Sequence, residues 1–195
     1  MAKKPWELQV EKMQKIRTDS LNPAWLLAEE QLPPAAQLDV SEFAITCKLL
    51  SSRELEITEA TAVDLVSQMA GGTLTAVETA TAFLKRAHIG HQLLNFATEF
   101  LVDEALSRAA ELDAHFQQTG KVIGPLNGVP ISVKEHIGLK GHICHSDYTI
   151  WGDNVVEEDA LIIRLLKKAG AIIHVRTNQP QSLMVSLLRV VAGTS

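Results

Sequence analysis

The chain has 195 residues and a net charge of -5, and hydrophobic residues make up 46% of it. This length gives room for one domain with a sizeable core. A mildly acidic chain without a basic stripe argues against nucleic acid as a partner. Two cysteines, Cys47 and Cys144, are too few for a disulfide framework, and the amino terminus has no apolar signal core. No apolar run approaches the ~18 residues of a transmembrane helix, so we expect a cytoplasmic protein.

The amino-terminal segment carries a helical pattern followed by proline breaks. Residues 5–18 place apolar side chains at helical spacing, and Pro5 suits a first helical position. Asn22-Pro23 ends this helix, and Pro33-Pro34 marks a linker. We therefore divide the chain into an amino-terminal helix and linker, residues 1–39, and a domain over residues 40–195.

The next segment, residues 40–120, has a helical pattern throughout. Thr58 is predicted to cap a helix that ends near Gln68. A further helix is predicted from about Asp103 to Gln118, and Gly120 ends it. Two sequences have the form of a capping box, Ser51-x-x-Glu54 and Thr75-x-x-Glu78.

The pattern changes to strand and helix after Lys121. Residues 129–133 have the length and β-branching of a buried strand, and Pro130 stands at its entry. A loop over residues 135–157 leads to an amphipathic helix that Gly170 closes. Residues 171–175 then predict a second buried strand. Strand, helix and strand at this spacing predict a βαβ unit with parallel strands, and the fold class is therefore α/β.

Lys134 follows the first strand at its carboxyl end, where open α/β sheets bind ligands. A lysine that loses hydration there gives up its proton more readily and can act as a base. Thr177 and Asn178 follow the second strand and should lie at the same edge of the sheet. The alternative is that Lys134 only marks the point where a strand meets water.

Histidines and cysteine in the loop after Lys134 raise the question of a metal site. Their spacing is not that of a paired zinc site, so we expect ordinary loop polarity and no metal or other cofactor. His88 and His91 share a helical segment without an acidic neighbour and are predicted to lie on the surface. The loop residues concerned are His142, Cys144, His145 and Asp147.

The sequence contains neither a phosphate-binding glycine motif nor a G-x-S-x-G elbow. Ser132 and Ser146 are the serines within plausible reach of Lys134. Neither has a glycine-rich neighbourhood that would form an oxyanion hole. The residues alone therefore leave Lys134 without a nucleophilic partner.

Two blocks of this sequence resemble the amidase signature family, on the fungal acetamidase and general amidase branch. The first runs Gly124-Pro-Leu-Asn-Gly-Val-Pro-Ile-Ser-Val-Lys134-Glu135, and the second runs Lys168-Ala-Gly-Ala-Ile-Ile-His-Val-Arg-Thr-Asn-Gln-Pro-Gln-Ser-Leu-Met184. The turn of the second block is also similar to fatty acid amide hydrolases. The resemblance covers about residues 40–184.

The resemblance implies a mixed-sheet α/β domain and hydrolysis of small-molecule carboxylic amides, without metal or organic cofactor, by a Ser–cis-Ser–Lys triad. It assigns Lys134 as the general base and acid. Asn127 stands where fungal members often have histidine, and Glu135 replaces a frequent aspartate. The glycine- and serine-rich block that carries both serines of the triad is absent from this sequence.

We therefore expect the helical amino-terminal part and the first βαβ unit of a longer, truncated amidase signature domain, inactive by itself. The competing hypothesis is a non-catalytic binding or regulatory fragment that associates with a complete amidase. A homo-oligomer or a poorly folded product also remains open.

Overall fold

The computed structural model describes residues 3–183, and they form helices packed against a small mixed sheet. Short 3-10 turns follow the first helix and interrupt the loops. The helices and strands are α1 (Pro5–Asp19), α2 (Phe43–Thr46), α3 (Ser52–Glu59), α4 (Ala62–Ala70), α5 (Ala76–Leu94), β1 (Ala97–Phe100), α6 (Val102–Thr119), β2 (Pro130–Lys134), α7 (Leu161–Lys168) and β3 (Ile172–Thr177). No helix within residues 3–183 is long and apolar enough to cross a bilayer. The predicted α/β class is confirmed.

Local capping signals set several helix bounds. The Thr75 hydroxyl accepts from the Glu78 N–H at 3.1 Å, and the Glu78 carboxylate accepts from the Thr75 N–H at 2.9 Å. The equivalent box at Ser51 starts α3. Gly120 ends α6 at φ 66°, a backbone conformation that glycine adopts without a steric penalty. Both capping boxes and the end of α6 are therefore confirmed.

The prediction that Thr58 caps a helix was wrong. The helix that starts after Ser51 continues through Thr58, whose hydroxyl donates to the Leu55 carbonyl at 3.1 Å. Thr61 caps α4 instead, because its hydroxyl accepts from the Asp64 N–H at 3.2 Å. Thr58 and Thr61 lie three residues apart, and N-cap propensity alone does not show which of them starts α4.

The prediction of helix throughout residues 40–120 was also wrong, because β1 lies between α5 and α6. The strand order is β1-β3-β2. β1 pairs with β3 in the antiparallel direction, and β2 pairs with β3 in the parallel direction. The βαβ unit is thus confirmed, and its strands are shifted slightly from the predicted 129–133 and 171–175. β3 is buried as predicted, but the prediction of a buried strand was wrong for β2, where Ser132 and Lys134 are exposed. β1 thus adds a third, antiparallel strand to the two predicted ones, which makes the sheet mixed.

The main core lies between α5, α6 and the sheet. Alanines on both helices permit close approach, and Leu84, Leu112 and Ile172 fill the space between them. The predicted surface position of His88 and His91 was wrong. Both are buried beside Phe100, and burial lowers the pKa of His88 and lowers that of His91 to about 4.

The two sequence blocks fit together at a close backbone contact. The Leu126 N–H donates to the Ala169 carbonyl at 2.9 Å, and the Gly128 N–H donates to the Gly170 carbonyl at 2.9 Å. A β-carbon on Gly170 would lie 2.8 Å from the Asn127 α-carbon, and Gly170 has φ +94°. Glycine is therefore needed at 170, and this contact sets where β2 and β3 start.

Candidate active site

Lys134 is the last residue of β2 and lies opposite Thr177 in the parallel ladder. Its ammonium nitrogen Nζ donates to the backbone carbonyl of Asn178 at 2.8 Å. The sheet thus brings Lys134, Thr177 and Asn178 to one edge, as the sequence predicts. The Lys134 side chain is exposed, so residues 3–183 do not provide the dehydration that the sequence argument assumed.

Glu135, the residue after this exposed lysine, is buried, with 1% of its surface exposed. Its carboxylate accepts from the His145 N–H at 2.6 Å, from the Ser146 N–H at 3.0 Å and from the Gln179 amide at 3.0 Å. Buried carboxylates require such donors because an unpaired charge in the interior is costly. Glu135 therefore joins β2 to the following loop and to the residues after β3.

Arg176 lies beneath this edge on β3 and is also buried. Its guanidinium donates to the Glu135 carbonyl at 2.7 Å, to the Ile143 carbonyl at 2.7 Å and to the Glu99 carboxylate at 2.9 Å. Arginine suits this position because its planar fork reaches several acceptors at once. It connects β1, the end of β2 and the loop.

His142 extends the network to α6. Its Nδ1 lies 3.0 Å from a Glu99 carboxylate oxygen, and its Nε2 lies 3.0 Å from a Glu104 carboxylate oxygen. Hydrogen bonds to Glu104 and Glu99 raise the pKa of His142 to about 9, although burial opposes this. The pKa of Glu99 is lowered: burial opposes the shift, and the hydrogen bond from His142 and the Arg176 guanidinium outweigh it.

The other loop candidates have structural contacts. The Cys144 thiol donates to the His136 carbonyl at 3.2 Å, and burial raises its pKa. The His145 ring accepts from the Asp147 N–H at 3.0 Å. Within residues 3–183, no group of three or more His, Cys, Asp or Glu side chains is placed to hold a metal ion. Ser146 contributes its backbone N–H to Glu135, and Ser132 is exposed on β2.

A cavity of about 460 Å³ borders this network. The side of α1 that carries Lys12 and Arg17 forms one wall, and β1 with the loop after Lys134 forms another. Lys12 donates to the Asp153 carboxylate at 2.5 Å and holds α1 against the loop. Glu135 and Asn178 border both the cavity and the region around Lys134.

Sequence reasoning did not identify Arg176, Glu99 or Gln179 as residues of this site. The available signal was a charged residue directly after the apolar run 171–175, which the structure shows to be inside the strand. A charge at that position of a buried strand indicates a buried partner. The partner, Glu99, belongs to a strand that the sequence did not predict.

Comparison with known proteins identifies the family to which this chain belongs. A family model described as Amidase matches residues 78–188, more than half of the chain. The chain therefore belongs to the amidase family.

Individual relatives agree with this assignment. A putative amidase kk1C of Curvularia clavata is 37% identical over 185 residues, which cover 95% of this chain and 34% of that protein. An acetamidase of Emericella nidulans is 45% identical over 150 residues, which cover 77% of this chain and 27% of that protein. A solved structure of fatty acid amide hydrolase matches with a TM-score of 0.86 at 36% identity, over 92% of this chain and 32% of that chain. This chain spans about a third of the length of these relatives.

Proposed function

We propose that the chain provides the lysine of an amide-hydrolysing active site, with Lys134 as the general base and acid. The observation that carries the proposal is the position of Lys134 at the carboxyl end of β2, with its Nζ held by the Asn178 carbonyl. A carbonyl accepts one hydrogen from either the ammonium or the neutral amine. Because the Lys134 side chain is exposed, the rest of its nitrogen is accessible to a serine hydroxyl that exchanges a proton with it.

The proposed reaction is acyl transfer from a small-molecule carboxylic amide to a serine, followed by hydrolysis. Neutral Lys134 takes the proton of a bridging serine, which in turn deprotonates the nucleophilic serine. The proton then passes to the leaving amine, and water releases the acyl group. The relatives named acetamidase and fatty acid amide hydrolase support an amide as substrate.

The two serines are not assigned to residues of this chain, because the 195-residue sequence contains no Gly-Gly-Ser-Ser-Gly-Gly block. We therefore propose that these 195 residues alone release no ammonia from amides above the buffer background. Triad members act as a unit, and a lysine without the nucleophile and oxyanion hole retains little of the rate enhancement. Hydrolysis by the purified chain that Lys134→Ala abolishes would contradict the inactivity but support the lysine's role.

A chimaera tests the role of Lys134 directly. This chain replaces the matching region of the Emericella nidulans acetamidase, and ammonia release from acetamide is measured. Lys134→Ala should lower kcat by at least about a hundredfold, the lower range for a general acid–base group. Lys121→Ala is the matched control, because Lys121 is exposed and follows α6. Equal activity of the two variants would refute the proposal.

The second candidate function is a non-catalytic fragment that associates with a complete amidase. The observation that favours it is the outer face of α7, where Leu161, Ile162 and Leu165 are 65%, 49% and 52% exposed. Apolar side chains grouped in this way mark interaction surfaces. Co-elution of the chain with the acetamidase, lost in Leu165→Glu, would support association, whereas a monodisperse monomer beside the acetamidase would refute it.

A further inference from the structure

Glu135 stands next to the proposed catalytic lysine and has the most enclosed carboxylate of this edge. We propose that Glu135 is a positioning residue for Lys134, acting through Gln179 and the carbonyl of Asn178. The inference rests on the proposed function only in calling Lys134 catalytic. The hydrogen bonds that support it are present in the structure whether or not Lys134 is catalytic.

The connection runs through one peptide group. The Lys134 Nζ donates to the carbonyl oxygen of Asn178, which belongs to the peptide between residues 178 and 179. One side of this segment is fixed, because the Asn178 N–H donates to the Phe96 carbonyl at 3.0 Å. The other side is fixed by Gln179, whose amide donates to Glu135 at 3.0 Å. Glu135 therefore sets the orientation of the carbonyl that holds the lysine.

The backbone of Glu135 is itself held firmly. Its N–H donates to the Thr177 carbonyl at 2.9 Å, and its carbonyl accepts from Arg176 at 2.7 Å. The side chain and the main chain of one residue thus fix both ends of the Lys134–Asn178 contact. A lysine side chain has several rotatable bonds, so a fixed acceptor restricts its nitrogen far more than the exposed stem does.

A carboxylate is required at this position because both oxygens face donors. Oε1 accepts from the His145 N–H, and Oε2 accepts from the Ser146 N–H and from Gln179. A glutamine here would turn its NH2 group toward one of these donors, whichever way its amide is oriented. Glu135→Gln therefore preserves the side-chain volume and replaces one of the two acceptor oxygens with a donor.

The test measures the chemical reactivity of the Lys134 amine in the full 195-residue chain. Acetic anhydride acetylates lysine amines at a rate that falls when the nitrogen is held by an acceptor. Peptide mass spectrometry gives the rate at Lys134 relative to Lys121 in the same molecule. Glu135→Gln should raise this ratio about three- to tenfold, the range that corresponds to the loss of one hydrogen bond of typical net strength. Gln179→Ala should raise it similarly and leaves Glu135 in place.

The matched control is Glu99→Gln, which removes the charge of the other carboxylate on Arg176, a partly buried one. If Glu135 only supports the fold, Glu99→Gln will raise the ratio as much as Glu135→Gln does, and the proposal is wrong. An unchanged ratio in both Glu135→Gln and Gln179→Ala would also overturn it. The reactivity ratio is independent of hydrolysis. A raised ratio together with an active Lys134→Ala chimaera would refute the proposed function and leave the positioning role intact.

Discussion

Raising the pH should weaken the contact between the loop after Lys134 and the β1–α6 segment, because His142 joins them. Its two ring nitrogens each lie 3.0 Å from a carboxylate oxygen, one of Glu104 and one of Glu99. Only the protonated ring carries a hydrogen on both nitrogens. Once the proton is lost, one of the carboxylates faces a nitrogen lone pair.

The magnitude follows from the pKa of His142, which is raised from 6.5 to about 9. Each pKa unit corresponds to about 1.4 kcal/mol, which gives an upper limit of about 3 kcal/mol. The Glu104 side chain is 58% exposed, so solvent screening reduces its share and we expect about 2 kcal/mol. The folded state holds the proton more tightly than the unfolded state. The stabilisation is therefore complete below the unfolded pKa of 6.5 and is lost as the pH rises through about 9.

Urea unfolding of the wild type and of His142→Gln at about pH 6 and about pH 10 measures this effect. The difference in unfolding free energy between the two proteins should be larger at the lower pH. Taking this difference cancels the contributions of lysines and tyrosines that titrate in both proteins. His115→Gln is the matched loss of a histidine. A difference that stays constant, or that grows with pH, would refute this account of His142.

Two further predictions concern the local geometry that places the site. Gly170→Ala should lower the unfolding free energy by at least about 2 kcal/mol, because φ is +94° and the new β-carbon meets backbone. Gly120→Ala, at φ +66° with nothing within 4 Å of the new β-carbon, should cost only about 1 kcal/mol, and equal losses in urea would contradict the steric argument. Thr75→Ala should cost about 1 kcal/mol by loss of the α5 cap. Thr75→Ser should restore most of this in the same assay, and an unaffected Thr75→Ala would show that the cap is dispensable.

The elements with strong local signals were predictable from the sequence. The capping boxes at Ser51 and Thr75 and the end of α6 at Gly120 depend on residues close together in the chain, and each strand and helix of the βαβ unit carries its own local hydrophobic pattern. Local hydrogen bonds and backbone conformation decide these features. The position of Lys134 at the carboxyl end of a strand was predictable for a related reason, since a charged residue directly after an apolar run marks the point where a strand ends.

The features that sequence reasoning missed depend on pairing over long distances. β1 is four residues long and carries Glu99, which is not typical of a buried strand. Its pairing with β3 is set by tertiary contacts, which outweigh the weak intrinsic preference of so short a segment. The burial of His88 has the same origin, because Trp25 and Phe100 contact its ring from outside the helix.

The buried charges at this edge are better explained by placement than by stability. Removing the Arg176 and Glu135 charges from water is costly, and buried ion pairs seldom repay this cost with a net gain. Their hydrogen bonds nevertheless join three segments that are distant in sequence. Lys134 is exposed and Glu135 is buried, so the lysine is accessible to solvent while its neighbour is held in place by hydrogen bonds. We infer that the edge around Lys134 is organised by this network before any reacting group approaches.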